Sequence, residues 1–274
     1  MRGLLELTRP TNAIAAGLLP LIGGIVAGGT THPTLLTAAI AATILGTGAG
    51  NTINDYFDRE VDAINRPTRP IPRGAVSPRQ ALALTAVLFT AALALTATLP
   101  VPAIAIALVN LVALVTYTQF FKGTPGLGNL LVGYLVGSAF LFGAAATHNT
   151  RAAAILFVLA ALATITREII KDVEDRPGDE AEGLTTLPTT IGDTKALHVG
   201  TAALTIAIAA SPVPYLLGQF GPIYILAVIP ADALMAYGAY RAYTDPASGQ
   251  QALKLGMFVA TVAFVVGRLA SWAT

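Results

Sequence analysis

The stretch Asn51–Gly74, NTINDYFDREVDAINRPTRPIPRG, decides how this chain is read. It carries four acidic side chains, Asp55, Asp58, Glu60 and Asp62, and four arginines, Arg59, Arg66, Arg69 and Arg73. The sequence on either side is almost wholly apolar. On helical spacing Asn54, Asp58 and Asp62 stand at i, i+4 and i+8, and Asp55 lies three before Asp58. All four therefore project from one broad face of a helix. Carboxylates stacked this closely repel one another unless something positive sits between them. Oxygen ligands without His or Cys point to a hard cation, Mg²⁺ ahead of Ca²⁺ or Zn²⁺. The arginines that follow suit a phosphate.

Composition sets this stretch in a membrane. Of 274 residues, 54% are hydrophobic and only 11% are charged, against about 25% charged in soluble domains. Mean hydropathy is +0.68. The reading is an all-α polytopic membrane protein, one domain over 1–274. Apolar segments are expected at about 13–29, 34–53, 79–98, 101–120, 126–146, 151–171, 195–211, 219–240 and 251–272, nine transmembrane helices around a central cavity. The first follows a basic flank, as in a signal peptide, but runs on into further spans with no cleavage site, so it is read as an uncleaved helix. Net charge is +1, which argues against a nucleic-acid partner. The absence of cysteine excludes disulfides, thiolate metal sites and cysteine nucleophiles.

Lys and Arg alternate between the joints. Arg2 and Arg9 precede the first segment; Arg59, Arg66, Arg69, Arg73 and Arg79 follow the second; Lys122 follows the fourth. Arg167, Lys171, Arg176 and Lys195 surround the joint of the sixth and seventh, and Arg241 and Lys254 that of the eighth and ninth. The intervening joints hold Arg151 alone. The positive-inside rule then puts the N-terminus and the charged joints in the cytoplasm and the C-terminus outside.

A second charged joint repeats the device of the first. In TREIIKDVEDRPGD, from Thr166, Glu168, Asp172 and Asp175 share a helix face at i, i+4 and i+7. Pro177-Gly178 is expected to end that helix and leave Asp179 on the turn beyond. The two joints close segments two and six, which hints at an internal repeat of four helices. Acids at the membrane edge must face a shared polar cavity, since a carboxylate at the bilayer centre costs about 2.5–3.5 kcal/mol on insertion scales. Two facing clusters could hold two or three Mg²⁺ ions and, with Arg and Lys, a diphosphate. In a membrane the organic part of such a substrate is a lipid, and an isoprenyl diphosphate fits both halves.

The residues match a family at this point. Asn54-Asp55-x-x-Asp58-x-x-x-Asp62 followed by RPxRPIPRG resembles the first signature of the UbiA-type intramembrane prenyltransferases, and Asp172-x-x-Asp175-x-x-x-Asp179 resembles the second. REIIKDVEDRPGDEAEGLTTLPTTIG looks most like the archaeal digeranylgeranylglyceryl phosphate synthases. The resemblance spans essentially the whole chain. It implies Mg²⁺ held by Asn54, Asp58, Asp62, Asp175 and Asp179, with Asp55 and Asp172 as further ligands or partners of ligands. Asp58, Asp62, Asp175 and Asp179 become the catalytic acids. Arg66, Arg69, Lys122 and Lys171 are candidates to neutralise the leaving diphosphate, with Tyr117 bonded to the same group. Arg9 or Arg73 would meet the acceptor's own phosphate. The implied reaction moves a geranylgeranyl group from its diphosphate to the free hydroxyl of geranylgeranylglyceryl phosphate.

Two rivals remain. One keeps the fold and prenylates an aromatic acceptor, a quinone or chlorophyll precursor. The other is a cation transporter, but ion paths place charge near the midplane, whereas here it gathers at one edge. Smaller signals are read structurally. Asn110 suits an interhelical hydrogen bond; Gly133-x-x-x-Gly137 suits close helix packing with Asn129 on the cavity. Asp232 is read either as a cavity-facing acid bonded to a neighbouring helix or as a site residue. His32, His148 and His198 lie at segment ends, where Tyr240, Tyr243 and Trp272 are interfacial anchors.

Overall fold

The computed structural model describes residues 2–28, 32–117, 121, 124–181 and 183–272, the side chain of Ala152 excepted. Its helices in chain order are α1 (Arg2–Thr8), α2 (Pro10–Val26), α3 (Pro33–Phe57), α4 (Arg59–Asn65), α5 (Pro78–Thr96), α6 (Val101–Thr116), α7 (Leu127–Ala146), α8 (Arg151–Ala181), α9 (Leu187–Ile191), α10 (Asp193–Ala210), α11 (Val213–Leu216), α12 (Pro222–Arg241) and α13 (Pro246–Ala270). No strand occurs among the described residues. Each expected apolar segment holds one long helix. Seven of these, α3, α5, α7, α8, α10, α12 and α13, are long and apolar enough to cross a membrane. The other two, α2 and α6, are apolar but shorter, at 17 and 16 residues. The protein is thus a multi-pass helical membrane protein.

Helix starts follow their local chemistry. Proline occupies the first turn of α2, α3, α5, α12 and α13, where a missing N–H costs nothing. Ser77 and Gln80 close a capping box at α5. Beyond Gly74, then, the chain re-enters a helix at a defined residue.

Helix α2 packs on α3, α7 and α13; α3 on α5; α7 on α6 and α8; α8 on α10 and α13; and α12 on α13. Just past α7, Asn149 donates through Nδ2 to the Ala27 carbonyl just past α2, at 2.7 Å. Helices α2 and α7 therefore run the same way. Their approach is backbone on backbone: a Cβ on Gly23 would overlap the Phe140 carbonyl, and one on Gly143 the Pro20 carbonyl. Small residues at a crossing permit this where lipid gives no hydrophobic drive. The expected packing of Gly133 and Gly137 is also found. A Cβ there would lie 2.8 Å from the Ala161 carbonyl and 2.6 Å from the Phe157 carbonyl of α8.

Two boundaries differ from expectation. Helix α8 does not end at Pro177-Gly178 but continues to Ala181, so Asp179 is helical. Proline forfeits one backbone bond, and Arg176 compensates by bonding Glu180 across the break at 2.7 Å and Asp193 at 2.8 Å. The helix carrying the first motif, in turn, is two helices joined at Asp58. Bonds from Asp58 N to Asn54 O (2.9 Å) and from Asp62 N to Asp58 O (2.8 Å) carry the i, i+4 stack through the joint.

Candidate functional site

The first motif closes α3 and forms α4. Asp55 and Asp62 are buried, while Asn54 and Asp58 are partly exposed. The Asp55 side chain is 5% exposed and accepts at one oxygen from Arg9 (2.5 Å) and Arg69 (2.8 Å). Arg69 also donates to Asp62 at 2.8 Å. One guanidinium thus bridges two buried carboxylates, and Arg9 joins from the start of α2. Arg9 itself sits at φ 46° between α1 and α2, a left-handed position unusual for a side-chain-bearing residue. Asn51, one turn before Asn54, donates to the Thr8 carbonyl at 3.0 Å. These bonds clamp α1, α2 and the arginine-proline loop onto the end of α3.

The other arginines of the loop fall elsewhere. Arg73 pairs with Glu6 of α1 at 2.5 Å and donates to the Thr68 carbonyl. It staples the loop to α1. Arg66 is exposed. Arg59 donates to the Tyr56 carbonyl and stacks over the Tyr56 ring.

The second motif rides on α8. Asp172 accepts from Asn129 Nδ2 of α7 at 2.8 Å, and Lys171 pairs with Asp175 at 2.6 Å. Tyr117, just past α6, lies within electrostatic reach of Glu168, Asp172 and Lys171. Lys122, a sequence candidate for the diphosphate, lies outside the described residues. Asn129 stands near the start of α7 and Arg9 at the start of the parallel α2. Both motifs therefore share one end of the bundle.

An apolar cavity of about 370 Å³ opens beneath the first motif. Asn51 and Asn54 stand at its mouth, and α2, α3, α5, α6 and α7 wall it. From Asn54 it follows α3 to Ala42, roughly 18 Å at 1.5 Å per residue. Asn110 lies in its lining and accepts from Ser138 of α7 at 2.8 Å, the interhelical bond expected of it.

Sequence reasoning missed three partners. Asn51 precedes Asn54 by three residues, so its place on the motif face was readable from spacing. Asn129 was placed on a cavity, but its bond to Asp172 links residues 43 apart. The Glu6–Arg73 pair spans 67 residues and left no local signal.

The donor chemistry suits a hard ion. The motif carboxylates offer only oxygens, the donors that Mg²⁺ takes beside water and substrate phosphate oxygens.

A polar end with acids and arginines above an apolar well describes a lipid-diphosphate enzyme. The chain belongs to the UbiA prenyltransferase family, whose match covers residues 17–262. It is 57% identical to the digeranylgeranylglyceryl phosphate synthase of Natronomonas pharaonis, over 98% of both chains. It is 58% identical to that of Halobacterium salinarum, again over 98% of both. A solved structure from work on digeranylgeranylglyceryl phosphate synthase in membranes is 33% identical, with a TM-score of 0.90 and 98% of both chains covered. A UbiA homologue from Archaeoglobus fulgidus, solved with GPP and Mg²⁺, shares the fold at a TM-score of 0.74 and 20% identity, over 99% of this chain and 100% of that one.

Proposed function

We propose that this protein transfers the geranylgeranyl group of geranylgeranyl diphosphate to the free hydroxyl of geranylgeranylglyceryl phosphate, forming a second ether. One observation carries the reading: Asn54 of the first acidic motif lines a largely apolar well of about 370 Å³, at the bundle end that both motifs share. The relatives' shared name supports the choice of acceptor. The charge alternation supports a cytoplasmic site.

The diphosphate rests at the mouth, its prenyl chain in the well. Asn54, Asp58, Asp62, Asp175 and Asp179 are the residues that would hold Mg²⁺; when bound, the ion offsets diphosphate charge. Asp55 serves a different purpose, holding Arg9 and Arg69 at the mouth. Arg69, with Arg66, Lys171 and Tyr117, takes phosphate oxygens and stabilises the charge that develops on the leaving group. The C1–O bond breaks, leaving an allylic cation among apolar side chains that exclude water. The acceptor hydroxyl attacks C1, and its proton passes to the departing diphosphate or an acid of the second motif. Arg73, stapled to Glu6, is left with a structural duty, so Arg9 is the better candidate for the acceptor's phosphate.

The test is purified protein in detergent with Mg²⁺ and labelled geranylgeranyl diphosphate, offered geranylgeranylglyceryl phosphate, 4-hydroxybenzoate or dihydroxynaphthoate. Ether lipid from the glycerol phosphate alone, lost in Asp58→Ala and Asp175→Ala, is the expected result. Product from an aromatic acceptor alone would move the enzyme to quinone synthesis. No turnover of any donor by folded protein would end the prenyltransferase reading.

A further inference from the structure

A second cavity of about 160 Å³ lies beside the first. Its walls come from α8, α10, α12 and α13, completed by Leu19 of α2 and Val136 of α7. Leu19 and Val136 also line the larger well. The two spaces therefore adjoin at those two side chains. Leu19 is nine residues into α2 from Pro10, so the partition lies roughly 14 Å below the acidic end. No residue of either acidic motif lines the second cavity. It borders the acidic end only by way of the larger well.

We propose that the second cavity receives the far end of the donor's geranylgeranyl chain and so sets donor length, with Leu19 and Val136 as its gate and Ala160, Ala163 and Ala207 as its floor. This rests on the reading given under Proposed function. Size supports it. A cavity of about 150 Å³ holds one benzene. On that scale the second cavity takes about one five-carbon isoprene unit and the larger well roughly three. Together they match the four units of a geranylgeranyl chain; the larger well alone matches farnesyl. The path also fits, running down α3 from Asn54 and turning past Leu19 at mid-depth.

One polar corner interrupts the lining, where Ser211 donates to Asp232 at 2.6 Å. The larger well has an equivalent feature in Asn110 with Ser138.

The test compares geranylgeranyl with farnesyl diphosphate in Ala160→Leu and Ala207→Leu, with geranylgeranylglyceryl phosphate as acceptor. The ratio of kcat/KM for the two donors is expected to fall at least tenfold, with farnesyl turnover retained as proof of folding. An unchanged ratio, or equal loss for both donors, overturns the proposal. So does a rise in acceptor KM alone, which would give the cavity to the acceptor's chain. Should both variants misfold, wild-type protein is irradiated with a geranylgeranyl diphosphate carrying a diazirine at its far end. Label in α8 or α12 supports the proposal; label confined to α5 and α6 refutes it. Wild-type protein that transfers neither donor would instead strike the enzymatic reading, and the diazirine label would still report on the cavity.

Discussion

Asp55→Asn separates two duties that the first motif combines. Asp55 is 5% exposed and accepts from Arg9 at 2.5 Å and Arg69 at 2.8 Å. Breaking a buried ion pair by removing one partner costs about 3–5 kcal/mol. Here the arginine side chains are 41% and 20% exposed, so water recovers part of that loss, and Arg69 keeps Asp62. The lower end, about 2–3 kcal/mol, is the expected destabilisation. For a chain this long that lowers Tm by roughly 4–12 °C. The assay is thermal unfolding in detergent, with Mg²⁺ titrated against turnover on the same sample. Weaker donor affinity is expected, because Arg69 loses one of its two anchors and Arg9 its carboxylate, with an unchanged Mg²⁺ half-saturation. If Asp55→Asn instead raised the Mg²⁺ requirement severalfold, as Asp58→Asn should, Asp55 would be an ion ligand and the anchoring argument would fail.

Other outcomes follow from the same geometry. EDTA should abolish transfer and added Mg²⁺ restore it; activity persisting in EDTA would count against the donor-set argument. Asn129→Ala should cut Mg²⁺ affinity or turnover about 10–100-fold, the usual cost of losing a partner that orients a ligand, and titration of Mg²⁺ against rate reads it. Gly143→Ala should destabilise by roughly 1–3 kcal/mol or more, since its Cβ meets the Pro20 backbone rather than a flexible side chain; an unshifted Tm would refute the close crossing. Ser248 bonds hold the Asp245 carboxyl below the usual carboxylate range. A group with a depressed folded pKa stabilises above its unfolded value, near 3.9, and loses that as pH falls through the folded one. The Tm gap between wild type and Asp245→Asn should therefore be full at neutral pH and close in acid.

Much of this was legible in local sequence because its causes are local. Apolar length located the long helices, and i, i+4 spacing put Asn54, Asp58 and Asp62 on one face. The spacing survives even the joint at Asp58, because it resides in backbone bonds rather than in helix continuity. What stayed hidden depends on distant residues. Pro177-Gly178 is a stop signal by propensity, yet Arg176 reaches both Glu180 and Asp193, and only the latter's place at the start of α10 makes the second bond possible. Arg73 and Arg69 look equivalent in RPxRPIPRG. One faces two buried carboxylates and the other a glutamate of α1, a difference set by how α1 folds back.

The hint of a four-helix repeat gains meaning from the two cavities. In the first half the acidic motif ends α3, whose neighbours α5 and α6 wall the larger well. In the second half the motif rides α8, and α10 and α12 wall the smaller one. Asn110 of α6 and Asp232 of α12 line them at corresponding places, about midway along the last helix of each half. The halves differ in what they leave open to the acidic end. In the first, Asn51 and Asn54 expose the well to the acidic end. In the second, the smaller space borders that well at Leu19 and Val136. The two halves thus frame one chamber at the acidic end and one annex beside it, and on the proposal above a single bent prenyl chain uses both where two separate substrates would need two mouths.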